Sequence, residues 1–153
     1  MKIAVISGSR ADMGLLHCPT RKLSEAGLNV TWFANWGLAF GDAFSNALRI
    51  LREYQPTVLL VLGDRFEILA TVIAAHLERI PIAHIGGGDV TEGSYDDAMR
   101  DAISRMATIH FTTSFASSAR LVARGYSNVH LVGNPGVDYI MHEAWQRERE
   151  IEG

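Results

Sequence analysis

Six short apolar runs punctuate the chain, at residues 3–6, 28–33, 58–62, 80–85, 109–112 and 129–132, each bounded by turn-forming or polar residues. They are apolar at nearly every position instead of at alternate ones. That is the pattern of strands covered on both faces, and it predicts a parallel sheet sandwiched between helices. Between the runs the period lengthens. Residues 42–54 bring Phe44, Ala47, Leu48 and Leu51 to one face at helical spacing, and residues 65–79 do the same with Ile68, Leu69, Val72 and Ala75. Residues 96–106 repeat the pattern, and residues 114–124 open on a serine cap and close before Gly125. Alternating strands and helices make the class α/β, and right-handed crossovers build an open, doubly wound parallel sheet. Ligands of such sheets sit at the carboxyl ends of the strands, near the point where the strand order reverses.

The chain of 153 residues is the size of one domain, and 48% hydrophobic content supplies a packed interior and excludes disorder. A net charge of -3 offers no basic field, so nucleic acid is not an expected partner. Cys18 is the single cysteine and cannot form an internal disulfide, which fits a reducing, cytoplasmic setting. The first ten residues turn polar too early for a secretory segment, and no apolar run approaches the roughly 20 residues of a spanning helix, so no membrane partner is expected. The histidines other than His84, namely His17, His76, His110, His130 and His142, show no paired ligand spacing, and no metal is expected. The charged run at 146–152 reads as a solvated helix end.

The candidate chemistry gathers at the strand ends. The first strand runs into Ser7, Gly8, Ser9 and Arg10 before a helix, a turn whose amides and arginine suit a phosphate, although neither a dinucleotide fingerprint nor a Walker loop is present. The third strand ends in Gly63 and Asp64, and Asp64 reads as a helix cap or as a base. The fourth delivers His84, then Gly86, Gly87, Gly88 and Asp89, and a helix opened by Asp96 and Asp97 that carries Arg100. Three consecutive glycines are entropically expensive, which points to a ligand approaching the backbone. Asp96 or Asp97 either complements the helix dipole or joins Asp64 and Asp89 as acid and base groups on one rim. His84 is either a hydrogen-bonded core residue or a contact in the site.

SGSRADMGLL at 7–16, LGDRFEILA at 62–70, IPIAHIGGGDVTEGSYDDAMRDAISRMA at 80–107 and VGNPGVDYI at 132–140, in that order, resemble the hydrolysing UDP-N-acetylglucosamine 2-epimerases, particularly the branch serving sialic and related nonulosonic acid synthesis. The resemblance implies a Rossmann-like amino-terminal domain, half of a GT-B arrangement, over residues 1–138, with 139–153 a short helical tail where the family's chain crosses to a second domain. The interval between Leu28 and Tyr54 is shorter than the family usually carries. Carried over position by position, it makes Arg10 a contact for the nucleotide phosphates, Asp64 and Asp96 essential carboxylates and Arg100 a charge partner in the cleft; Asp89 joins them as a candidate catalytic residue, and Gly8, His84 and Gly87 as candidate substrate contacts. The sequence departs from the family at Gly86, where several branches place a glutamate, and Asp89 is the candidate replacement. The implied reaction abstracts the C2 proton of UDP-N-acetylglucosamine or a related UDP-sugar, eliminates UDP in the anti sense, and hydrates the glycal to N-acetylmannosamine, with no cofactor or metal required.

The implied enzyme competes with a non-catalytic sugar-nucleotide-binding or scaffold module descended from the same domain. The resemblance also implies a homodimer, with Ile68, Ile73, Leu77, Met99, Ile103 and Met106 as apolar residues beyond what one sheet requires.

Overall fold

A computed structural model describes residues 1–152, so Gly153 at the end of the expected tail lies outside the described residues. The expected alternation is present: β1 (Lys2–Ser7), α1 (Arg10–Glu25), β2 (Asn29–Ala34), α2 (Phe40–Tyr54), β3 (Val58–Leu62), α3 (Phe66–Leu77), β4 (Ile82–Ile85), α4 (Asp96–Met106), β5 (Ile109–Thr112), α5 (Phe115–Ala123), β6 (Val129–Leu131) and α6 (Pro135–Glu152). The six strands form one sheet in the order β2-β1-β3-β4-β5-β6, every pair parallel. The order reverses between β1 and β3, which places a crevice at Ser7–Gly8 and Gly63–Asp64.

Strand side chains alternate between two cores. Ala4, Ile6, Leu59 and Val61 face α2, α3 and α4 through Leu51, Val72 and Ile103. Ile3, Val5, Leu60 and Ile85 face Leu16 of α1 on the other side. Cover on both faces explains why the runs carry almost no polar alternation. Helix α1 continues through Pro19, with the Thr20 hydroxyl donating to the Leu16 carbonyl at 2.7 Å, and buries Cys18 at 2% exposure. Helix α6 begins at Pro135, ahead of the expected 139, and packs on α1 with Tyr139 edge-on to His17. At its far end Gln146, Arg147 and Arg149 are exposed. Among the described residues no helix is long and apolar enough to cross a membrane.

The residues offered for a dimer face need correction. Ile68 and Ile103 are completely buried in this chain's own core, and Met106 packs against it. Helix α3 lies between α2 and α4 as well as on the sheet, so it needs apolar residues on three sides without any partner. Leu77, 62% exposed, is the one of the six that is open.

Candidate functional site

The carboxyl edge of the sheet holds most of the candidate residues. Arg100 comes from the first turns of α4, is itself buried, and reaches back over the ends of β3 and β4. One guanidinium nitrogen, Nη2, donates to the Asp64 carboxylate, and Nη1 donates to Asp97 Oδ1 at 2.7 Å and to the Asp89 carbonyl at 2.7 Å. A planar guanidinium donating from two nitrogens to separate acceptors is what arginine supplies and lysine does not. Asp97 also accepts from the Thr91 amide at 3.1 Å, so a single carboxylate ties the loop after β4 to α4.

Asp89 is fastened through one oxygen. Its Oδ1 accepts from the Thr113 hydroxyl at 2.7 Å and from the Ser117 hydroxyl. Its Oδ2 lies 3.8 Å from the point where a Cβ on Gly86 would stand, an ordinary van der Waals separation that makes the two positions neighbours. Gly63, Gly86, Asp89 and Arg100 line a cleft of about 150 Å³ that also meets Leu15 of α1 and Asn134.

Asp96 stands apart from the Arg100 bridge. It accepts from the Ser94 hydroxyl at 3.3 Å, and Asp97 holds the place beside Arg100 that the sequence left open between the two. Arg65 is held more firmly charged than usual, first by its bond to Glu67 and then by the fields of Glu67, Asp12 and Asp96. Glu67 is itself 1% exposed; its Oε1 accepts from Arg65 at 3.0 Å and its Oε2 has no partner among the described residues.

His84 is a core residue in this structure. It is fully buried, with Nε2 2.8 Å from the Gly63 carbonyl and Nδ1 3.2 Å from the Ser104 hydroxyl. The carbonyl can only accept, so Nε2 carries the proton and Nδ1 accepts from Ser104. Burial pushes its pKa down to about 4, which keeps the ring neutral. Its work is positional: it joins the turn bearing Asp64 to α4, which bears Arg100.

The glycine run has an internal explanation. Gly86 and Gly88 hold φ of +87° and +79°, a Cβ on Gly87 would stand 2.9 Å from the Ser104 hydroxyl, and one on Gly88 would strike the Ser117 carbonyl. Close packing against α4 and α5 requires Gly87 and Gly88, and the positive φ favours glycine at 86, before any ligand is considered. The turn after β1 differs from expectation in a similar way. The amides of Gly8 and Ser9 donate to Asp12 Oδ2 at 2.8 and 2.9 Å, so a buried carboxylate already fills the anion position at the head of α1. Gly8 is needed for space, since a Cβ there would lie 3.2 Å from Ile68. Arg10 is exposed and makes no ion pair among the described residues. Sequence reasoning passed over Asp12 and Glu67. Of these, Asp12 had a signal, an acid three residues after a serine at a helix start.

Among the described residues no cluster of three or more histidine, cysteine, aspartate or glutamate side chains could hold a metal ion.

Comparison with known proteins completes the description. The UDP-N-acetylglucosamine 2-epimerase family model matches residues 24–152. UDP-N,N'-diacetylbacillosamine 2-epimerase (hydrolyzing) of Legionella pneumophila is 38% identical over 67% of this chain and 28% of its own length. Polysialic acid biosynthesis protein P7 of Escherichia coli is 33% identical over 74% of this chain and 28% of its own. The fold matches UDP-GlcNAc 2-epimerase of Neisseria meningitidis, solved bound to UDP-GlcNAc, with a TM-score of 0.89 at 18% identity, covering 97% of this chain and 50% of that one. The chain thus spans about half the length of that structure and less than a third of those two curated relatives. It belongs to the UDP-N-acetylglucosamine 2-epimerase family, as the α/β half that corresponds to one side of the family's GT-B-like architecture.

Proposed function

We propose that this chain is the carboxylate-bearing half of a hydrolysing 2-epimerase acting on UDP-N-acetylglucosamine or a related UDP-sugar. The observation that supports the reading most is Arg100, buried and bracketed by Asp64, Asp97 and the Asp89 carbonyl at the carboxyl edge of the sheet. Such an array is assembled before substrate arrives, which is the condition for stabilising charge that develops during elimination. Asp89 acts as the base toward C2: its Oδ1 is held by two hydroxyls and its Oδ2 is left for a proton. Asp64 and Asp96 then serve the hydration step and the orientation of the sugar, and Arg10, unpaired on the rim, meets the diphosphate. The segment beginning at α6 leads to a second half that closes the cleft.

A second reading, a sugar-nucleotide-binding module without turnover, is favoured by one observation. Asp64 and Asp97 are both engaged by Arg100, an ion-pair array that can orient a bound sugar without moving a proton.

The test is release of UDP and N-acetylmannosamine from UDP-N-acetylglucosamine by the chain alone and by the chain joined to the carboxyl-terminal half of a relative. Little or no turnover is expected alone, because donors on one side only leave the diphosphate half gripped. Turnover is expected when joined, with solvent deuterium entering at C2 and a loss of at least about a hundredfold in Asp89→Asn. A joined protein whose turnover ignores Asp89→Asn overturns the assignment of the base, and one that binds the sugar nucleotide without turnover establishes the second reading.

A further inference from the structure

Asp64, Asp97 and Asp89 stand on one rim, yet they are held by different chemistry. Arg100 donates to the carboxylates of Asp64 and Asp97, but it meets Asp89 only at the main-chain carbonyl. Among the described residues no cation pairs with the Asp89 carboxylate. Its donors are the neutral hydroxyls of Thr113, at 2.7 Å, and Ser117, and both land on Oδ1.

The protons of this cluster run one way. A hydroxyl has a single proton to give, and Ser117 gives its own to Asp89, so it accepts from Ser114, whose Oγ lies 2.7 Å away. Ser114 in turn caps α5 by accepting from the Ser117 amide at 3.1 Å. Hydrogen bonds in series polarise one another, which strengthens the last link onto the carboxylate.

The main chain on both sides is fixed as well. Arg120 of α5 donates to the Gly88 carbonyl at 2.9 Å, and Arg100 of α4 to the Asp89 carbonyl at 2.7 Å. Gly88 lets α5 come this near, since a Cβ there would strike the Ser117 carbonyl. An aspartate held only by its backbone still turns broadly about its last torsion. Two donors on one oxygen remove that freedom and leave Oδ2 on the side of Gly86, beside the cleft.

We propose that Thr113 and Ser117 are positioning residues that lock the plane of the Asp89 carboxylate through Oδ1 and present Oδ2 to the proton at C2. The assignment rests on the reading of Asp89 as the base. A guanidinium in the same place would favour the charged carboxylate and oppose proton uptake, whereas neutral hydroxyls orient the group with less of that opposition. The first turn of α5 thereby becomes part of the machinery, with Gly88 as the residue that admits it.

The test has two arms. In the chain alone, the NMR signal of the Asp89 carboxyl carbon, identified by its loss in Asp89→Ala, is expected as one sharp line. It should shift and broaden in Thr113→Val combined with Ser117→Ala, with the circular dichroism spectrum kept. In the chain joined to the carboxyl-terminal half of a relative, each single variant should lower kcat about tenfold and the pair about a hundredfold, with KM unchanged, because orientation acts on the transition state and not on uniform binding. Thr113→Ser keeps the hydroxyl and should keep kcat. If Ser117→Ala alters the dichroism spectrum, Thr113→Val alone serves both arms. An Asp89 signal unmoved by loss of the hydroxyls overturns the proposal, whether or not the joined protein turns over. So does a joined protein that depends on Asp89 but keeps its kcat without the hydroxyls. A signal that shifts, in a joined protein indifferent to Asp89→Asn, upholds the anchoring and removes the reading of Asp89 as base instead.

Discussion

A methyl group added at Gly88 would collide with the Ser117 carbonyl and press on Leu121 at 3.0 Å, in a residue whose φ is already +79°. Backbone cannot yield there without moving α5, so Gly88→Ala should cost about 3 kcal/mol or more, read from the urea midpoint. Gly63 has the same sign of φ, +83°, but open space around it, and Gly63→Ala should cost only about 1 kcal/mol. His84 carries the other prediction at this scale. Burial first, opposed by its bond to the Gly63 carbonyl, sets its folded pKa near 4, below the roughly 6.5 of an unfolded histidine. Above that value both states are neutral and the group has no effect. As pH falls below it the unfolded chain binds a proton that the folded chain refuses, so stability drops until about pH 4, by about 3 kcal/mol in all. Urea unfolding at pH 7 and pH 4.5 should show a steeper loss for the natural chain than for His84→Gln, which keeps a hydrogen-bonding side chain without the titration.

Helix α1 is held at its head by Asp12, which accepts from two amides and from the Ser9 hydroxyl at 2.9 Å. Asp12→Ala should destabilise the chain by about 1–2 kcal/mol in thermal unfolding, and Asp12→Asn by less, since the amide oxygen still accepts. The elements themselves were legible in the sequence, because residues such as Leu59, Leu60 and Val61 are apolar in a row only where both faces of a strand are covered. What the helices pack against was not. Ile68 and Ile103 looked surplus on a single helix, and their need arises only once α3 is wedged between α2 and α4. The site was legible in outline: Asp64, Asp89 and Arg100 do meet at one rim. Its details were hidden because Gly87 and Gly88 answer to α4 and α5, distant from them in the chain, and because Asp96 and Asp97 stand four and three residues before Arg100 on one helix, spacings that both allow a pair.

At the scale of the molecule, the two cores meet through the sheet alone, so a charge placed in the middle of β3 is felt by both. Leu60 is 3% exposed, and Leu60→Asp should cost several kcal/mol and abolish the cooperative melting transition; an unchanged midpoint would mean that this face of the sheet is open. The α1 core has a further property. Its Cys18 thiol is the only one in the sequence and is buried in α1 at 2% exposure. A thiol reagent therefore has a single target, reachable only when the packing around α1 opens or the chain unfolds. Its labelling rate is an intrinsic clock for that opening, needing no engineered probe. When reclosing outpaces labelling, the rate divided by that of an unfolded control gives the opening equilibrium directly. Comparing that ratio with global stability from urea would tell whether the packing around α1 opens locally or only with the whole fold.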